Sequence, residues 1–519
     1  MKYTKFVHSF LEDSADSSPS KNAVFDKGSW HTYSGINQKA NQLAYKLLKH
    51  GVKKGDRVGI LIDNSVEYII TYYAILKIGA ITVALNTETT ADDIGYIIED
   101  CGITTLLVNQ KLLKKVEKLF LGNPDSLVYK KVFVWSALNQ IQIKDSETEF
   151  LILPKTIENY PLNNPEIKII DMDIASIVYT SGSTGKPRGV TLSHLNIVTN
   201  TRSIVDYLKL TSLDRIMVVL PFYYIYGKSL LNTHFFAGGS VVIDNRFLYP
   251  NVILQTMKEQ EVTGFSGVPS TFTILLNRSD IRNFKFESLR YITQAGGAMA
   301  PSVQKEVVKV FDPAKLFIMY GATEASARLS YLSPEDLENK WGSIGKGIPN
   351  VQLFVADEKG NMLSGGQHGE IVARGSNIML GYWNHPEETK KVLRNGLYWT
   401  GDIGEMDEEG FVYVVGRNKD MIKVGGNRVS AKEIEDALYE HPLITEAAVV
   451  GIEDEVLGEA IKAFIVLKNS NGNESFKDEL NSFLKNKIAL YKIPKFYVYK
   501  DSLPKNKSGK IQKLKLKDK

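Results

Sequence analysis

Residues 174–190, IASIVYTSGSTGKPRGV, hold the densest set of anion-binding groups in this chain. Ile174–Tyr179 is short, apolar and β-branched, which predicts a strand buried on both faces. Thr180, Ser181, Gly182, Ser183, Thr184 and Gly185 follow, then Lys186, Pro187 and Arg188. Such small residues leave backbone N–H groups and hydroxyls uncovered, and the two cations add charge, so the loop suits a triphosphate. A plain surface turn would not need so many hydroxyls. The loop is not a Walker P-loop: only two residues separate Gly182 from Gly185, and Pro187 stands where the magnesium-binding hydroxyl belongs.

Other chemistry-bearing groups also stand at the ends of strand-like runs. Ile216–Leu220 leads into Pro221-Phe222-Tyr223-Tyr224-Ile225-Tyr226-Gly227, whose tyrosines read, on composition alone, as core packing. Leu289–Gln294 leads into Ala295-Gly296-Gly297-Ala298, and Pro301 then opens a helix where its missing N–H costs nothing. Lys315–Met319 delivers Tyr320-Gly321-Ala322-Thr323-Glu324. Asp402, in a Thr-Gly-Asp turn, is either a turn former or a carboxylate able to accept from two hydroxyls. Phe411–Val415 ends in Gly416-Arg417.

The elements that must position these groups follow a βαβ rhythm. Ala40–Lys49 has helical spacing, Arg57–Ile62 reads as a strand, Glu67–Ile78 as an amphipathic helix and Ile81–Leu85 as a strand. Ser193 is placed to cap a helix running to about Leu208. Residues 342–383 are Gly-rich, with strand-like runs at Val351–Ala356 and Gly369–Arg374, and read as an antiparallel subdomain. Beyond residue 417 the chain is long enough for a small domain of its own. There Ala431–His441 and Glu474–Lys487 read as helices, and Glu446–Ile452 and Ile461–Leu467 as strands.

At 519 residues the chain exceeds a single core, and a net charge of +4 implies no nucleic-acid partner. Cys101 is the only cysteine, so neither an intrachain disulfide nor a multi-Cys zinc site is available. No signal-peptide core or membrane-length apolar run is present, and a cytoplasmic enzyme is expected. Gly264-Phe265-Ser266-Gly267-Val268 lacks the last glycine of a nucleophile elbow, and His and Cys show no metal-site spacing.

Taken together, the motifs closely resemble those of the adenylate-forming superfamily: acyl-CoA synthetases, peptide-synthetase adenylation domains and luciferases. The loop at 180–189 matches T-S-G-S-T-G-x-P-K-G, with Arg188 where Lys is usual, and Tyr320–Glu324 matches Y-G-x-T-E. Pro504–Lys510 matches P-x-x-x-S-G-K, and the resemblance runs in order from about residue 30 to Lys510. It implies an α/β fold with a large N-terminal domain of mostly parallel αβα sheets plus a β subdomain. A small, mobile α+β C-terminal domain follows, the division falling as 1–417 and 418–519 with the hinge at Lys419.

The resemblance also implies roles. Residues 180–186 hold phosphates, Gly296, Gly297 and Ala298 lie against adenine, and Tyr320 and Gly321 flank it. Asp402 meets the ribose and Arg417 the ribose or phosphate. Thr323 faces the α-phosphate, Glu324 ligates Mg²⁺, and Lys510 reaches the substrate carboxylate and the α-phosphate. Gly426 and Arg428 belong to the loop used in thioester formation, though by sequence alone that stretch reads equally as a tight turn before a helix. Of the ten lysines from Lys492 onward, only Lys510 matches the motif; most of the others read as solvated surface.

The segment Tyr223, Tyr224 and Ile225 lines the acyl pocket, with Tyr224 in place of the usual His. Ile225 stands where amino-acid-activating relatives carry an Asp, so an α-amino acid substrate is not expected. Arg328 is placed to face the same pocket and suits a polar or anionic tail. The implied reaction uses ATP and Mg²⁺ to convert a small carboxylic acid to acyl-AMP, then passes the acyl group to coenzyme A. Two alternatives stay open: loading of a separate phosphopantetheinyl acyl carrier protein, which the basic tail could meet, and a non-catalytic nucleotide-binding protein of the same fold.

Overall fold

The computed structural model describes residues 5–122, 131–136, 149–180, 186–363, 365–417, 421–424, 427–454, 458–468, 474–505, 509 and 511–517. Three sheets organise them. In the eight-stranded sheet, Arg57–Leu61 lies parallel between Ile81–Ala84 and Thr105–Asn109. Ile174–Thr180 joins parallel to Ile81–Ala84, so the anion-binding loop leaves the carboxyl end of a parallel strand. The chain then returns as Arg188–Ser193, antiparallel to Ile174–Thr180, with Thr180 opposite Arg188. The two-residue strand Gly381–Tyr382 closes that edge. Ser193 caps the helix His194–Leu208 as expected, within a full capping box shared with Asn196.

The larger sheet begins with the hairpin Ser29–Thr32 and Asn22–Asp26 and continues through parallel strands Ser240–Ile243, Arg215–Val218, Gly264–Gly267, Tyr291–Gln294 and Lys315–Tyr320. Past Lys315–Tyr320 it turns antiparallel through Ser330–Leu332, Ser343–Gly347, Val412–Arg417, Leu397–Met406, Gly369–Gly375 and Val351–Ala356. The antiparallel region is therefore wider than 342–383 and is hydrogen-bonded into the parallel sheet. Those strands cover what would otherwise be an open edge at Lys315–Tyr320.

The helix expected to be amphipathic, Val66–Lys77, is buried on all sides except at Glu67. The main core explains this, since it joins Tyr68 and Tyr72 to Ile60 and Ala175 of one sheet and Ile216 and Val241 of the other. A helix between two sheets has no solvent face. Its terminal Lys77 is buried too, paired with Glu12 at 2.5 Å and donating to Asn164 at 2.9 Å.

Residues beyond 420 form a five-stranded sheet of their own, with Ile444–Asp454 and Gly458–Leu467 as its long hairpin. Helices Ala431–Tyr439 and Glu474–Lys485 pack on it around Ile434, Leu438, Val449, Ile465 and Leu480. The chain's end is tied down by ions: Lys505 meets Glu446 at 2.5 Å, and Lys513 meets Glu435 at 2.6 Å. Among the described residues no helix is long and apolar enough to cross a membrane.

Candidate active site

Parallel α/β sheets bind ligands beyond the carboxyl ends of their strands, and the candidate residues gather there. Strand Lys315–Tyr320 ends in Tyr320, whose hydroxyl donates to Asp402 Oδ2 at 2.6 Å. Arg417 Nε donates to Asp402 Oδ1 at 2.9 Å. Asp402 comes from the middle of strand Leu397–Met406 and Arg417 from the end of Val412–Arg417, where the two stand in register. Three residues separated by up to a hundred positions thus form one cluster. Each carboxylate oxygen keeps a lone pair for a further donor. Burial first, and the Asp402 charge second, hold the Tyr320 phenol protonated well above its ordinary range.

Glu324 lies in the short 3₁₀ turn Thr323–Ala325 directly after this strand, with Thr323 partly exposed beside it. Its Oε1 accepts from Tyr382 Oη at 2.7 Å, and its carbonyl accepts from Met379 N at 2.8 Å. Tyr382 was not marked by the sequence. It reaches Glu324 because Gly381–Tyr382 pairs with Arg188–Ser193, setting Tyr382 opposite Val190. The Arg188 guanidinium lies over the Tyr382 ring at 5.7 Å and pairs with Glu388 at 2.9 Å. Tyr382 therefore links the cation of the anion-binding loop to the candidate metal carboxylate. Its phenol is pushed far up by burial and then by the Glu324 charge, so it stays a donor at working pH.

A lone carboxylate with its orientation fixed fits Mg²⁺, which takes one or two protein oxygens and the rest from phosphates and water. Among the described residues no cluster of three His, Cys, Asp or Glu offers a complete cage. Replacing Tyr382 by Phe should weaken the apparent Mg²⁺ affinity of the first half-reaction by about tenfold, as loss of a carboxylate's supporting donor commonly does. Mg²⁺ titration of pyrophosphate exchange measures it; an unchanged titration curve would sever Tyr382 from the metal carboxylate.

After Glu324 the backbone takes two non-glycine residues through positive φ, Ser326 at 56° and Ala327 at 116°. Such conformations cost energy and persist where surroundings over-determine them. Asn377 does so here, donating to the carbonyls of Ala325 at 3.1 Å and Arg328 at 2.8 Å, while its own carbonyl accepts from Ser326 Oγ at 2.8 Å. Asn200 Nδ2 adds a bond to the Arg328 carbonyl at 2.9 Å. Gly321 is required by the same turn, since a Cβ there would come within 1.9 Å of the Ala327 carbonyl oxygen. Neither asparagine was marked by the sequence.

Gly296, Gly297 and Ala298 are exposed after strand Tyr291–Gln294 and form an open ledge, with Gln294 Nε2 donating to Gly297 O at 2.8 Å. Tyr223 is buried and Tyr224 half-buried at the start of helix Ile225–Ala237, their rings 4.7 Å apart, and Ile225 packs against the main core. Thr180 is half-buried at its strand end, and Lys186 lies over the Tyr96 ring at 5.3 Å. Ser181, Gly182, Ser183, Thr184, Gly185, Lys419, Gly426 and Lys510 lie outside the described residues. Arg428 is described only as a strand position opposite Lys423.

Gly509, next to Lys510, is described. At φ 77° it lies against the 268–270 turn, where an added Cβ would come 2.2 Å from Ser270 Oγ and 2.7 Å from Val268 Cγ2. Val268 also borders Gly296, 3.0 Å from where that residue's Cβ would be. The end of the chain is thus docked beside the ledge. Gly509→Ala should disturb this seat through both φ strain and the clash, lowering acyl-AMP formation by roughly tenfold. Thioester formation from preformed acyl-AMP should change little, and single-turnover assays of each half-reaction test the contrast.

Comparison with known proteins shows the family. Residues 11–383 match the model of the AMP-binding enzyme family, and residues 433–510 that of the AMP-binding enzyme C-terminal domain. A long-chain-fatty-acid–CoA ligase of Bacillus subtilis is 32% identical, covering 99% of this chain and 94% of that protein. The structure of an anthranilate CoA ligase in complex with anthranoyl-AMP superposes with a TM-score of 0.90 at 27% identity, covering 100% of this chain and 98% of that one. The o-succinylbenzoate coenzyme A synthetase of Bacillus subtilis, in complex with ATP and magnesium ion, has a TM-score of 0.83 at 29% identity, over 98% of this chain and 99% of that one. With its strand-end residues in place and both parts of the model matched in order, this chain belongs to the AMP-binding enzyme family.

Proposed function

We infer that this protein is an AMP-forming acid–thiol ligase that activates a carboxylic acid with ATP and passes the acyl group to coenzyme A. The observation that carries the reading is the seat of Gly509 beside Val268 and Gly296, because it brings the chain's end to the row of parallel strand ends that also delivers Tyr320 and Glu324. In the first step a carboxylate oxygen of the acid bonds to the α-phosphorus of ATP, the bond to the bridging oxygen breaks, and acyl-AMP and pyrophosphate result. In the second, the thiol sulfur bonds to the acyl carbon, the carbon–oxygen bond to AMP breaks, and the thiol proton goes to solvent.

Few covalent duties fall to the protein; it positions groups and stabilises charge. Asp402, held by Tyr320 and Arg417, orients the ribose. Thr323 and Lys510 donate to the α-phosphate, and residues 180–186 hold the remaining phosphates. Glu324 would hold Mg²⁺, which when bound neutralises phosphate charge. Between the steps the domain 418–519 turns about Lys419, withdrawing Lys510 and presenting the loop of Gly426 and Arg428 to the thiol. Tyr223, Tyr224 and Ile225 line the acyl pocket. A cytoplasmic location belongs to the same reading, since ATP and coenzyme A are both at hand there.

Acid-dependent ATP–pyrophosphate exchange over fatty, aryl, dicarboxylic and amino acids tests the first step. Adding coenzyme A or a phosphopantetheinyl carrier protein with the best acid then identifies the acceptor. Exchange with an acid followed by transfer to coenzyme A is the expected result, and transfer only to a carrier would replace the acceptor. Silence with every acid would leave a nucleotide-binding protein without ligase activity.

A further inference from the structure

Arg328 heads the largest fully buried side chains among the described residues, at 2% exposure. The strained turn through Ser326 and Ala327 aims it inward, and its carbonyl is clamped by Asn200 and Asn377. Of its donors, Nη1 reaches only the neighbouring Ala327 carbonyl at 3.2 Å, and Nε is buried without a partner. The guanidinium lies over the Tyr226 ring at 4.7 Å and meets the Tyr207 phenol through its charge and a side-chain hydrogen bond, a neutral partner that leaves the charge itself unbalanced. No carboxylate of the described residues stands within ion-pair distance. A buried guanidinium of this kind is incomplete without an anion.

The surroundings are polar as well. Tyr226 Oη is 2.9 Å from Thr293 Oγ1, and Thr293 Oγ1 is 2.6 Å from Ser266 Oγ, all buried. Tyr226 belongs to the same turn as Tyr223, Tyr224 and Ile225, and Arg328 follows four residues after Glu324. The guanidinium therefore packs on Tyr226, the residue directly after those of the proposed acyl pocket, so the charge borders the space where the tail of the acid would lie. A guanidinium matches a carboxylate fork-to-fork.

We propose that the acid is a dicarboxylate: one carboxylate is adenylated, and the other is held by Arg328, which acts as a specificity-determining residue. This rests on the ligase reading above. The test is pyrophosphate exchange with straight-chain dicarboxylic acids, each paired with the monocarboxylic acid of equal length and with the diacid's monomethyl ester. Long-chain fatty acids complete the panel. Wild type should favour one diacid over its partners by about tenfold or more in kcat/KM. Arg328→Leu should erase that preference by raising the KM for the diacid about tenfold more than that for the monoacid, and Arg328→Lys should keep part of it.

If Arg328→Leu does not fold, the wild-type panel and Arg328→Lys still decide. Equal or better exchange with monoacids, esters or long-chain fatty acids would overturn the inference and leave the ligase reading intact. Silence with every acid would overturn both.

Discussion

Lys510→Ala is expected to cut acyl-AMP formation by about 10²–10³-fold, the usual effect of removing one donor aimed at transition-state charge. Thioester formation from preformed acyl-AMP should stay within a few-fold of wild type. The asymmetry follows from where the end of the chain sits. Gly509 rests on Val268 and Ser270 beside the exposed ledge of Gly296, so the end of the chain is seated at the proposed nucleotide site. On the proposed alternation of domains the second step uses a different surface of the small domain, and Lys510 takes no part in it. Pyrophosphate exchange reads the first half-reaction, and acyl-AMP plus coenzyme A reads the second. Equal losses in both would refute an alternation of domains and make Lys510 a residue of general stability. Gly509→Ala should show the same asymmetry at smaller size, since it disturbs the seat and leaves the charge in place.

Much of this arrangement was legible in the sequence because each motif ends an apolar, β-branched run. Ile174–Thr180, Tyr291–Gln294 and Lys315–Tyr320 are strands, and the functional groups begin where each stops. What escaped is whatever depends on contacts between distant segments. Tyr382 meets Glu324 across 58 positions, through a strand of two residues that no periodicity can announce. Asn377 and Asn200 look like ordinary polar residues until the strained turn they hold is seen. The segment Glu67–Ile78 reads as an amphipathic helix, yet the helix Val66–Lys77 lies between two sheets and has no solvent face. Lys228 drew no notice either, since a lysine faces solvent by default and only the packed helix shows this one buried.

Lys228→Met is expected to stabilise the protein, by roughly 3 kcal/mol at neutral pH. Lys228 is 1% exposed on helix Ile225–Ala237, and its Nζ has no hydrogen-bond partner. It lies 5.0 Å from the Tyr72 ring centre and 5.9 Å from that of Tyr68, contacts that recover only about 1 kcal/mol or so of the lost hydration. Burial lowers its pKa from 10.5 to about 7. Because the folded value is depressed, the unfolded chain binds more protons between pH 7 and 10.5, and stability of the wild type rises with pH across that window. Below it both states are protonated and the full penalty of a buried ammonium remains. Methionine has similar length and no charge, so it removes the penalty while keeping the packing.

The gain from Lys228→Met should therefore be largest at or below neutral pH and shrink to under about 1 kcal/mol near pH 10. Thermal or denaturant unfolding midpoints of the two proteins, measured across that range, test both size and slope. Pyrophosphate exchange should persist, since Lys228 shares the Tyr68 and Tyr72 face of its helix, whereas Tyr226 of the same helix carries Arg328. A loss of stability at every pH would mean that the ammonium anchors this helix against the tyrosines. A gain that does not vary with pH would mean that Lys228 keeps one protonation state throughout, and that its burial acts through packing alone.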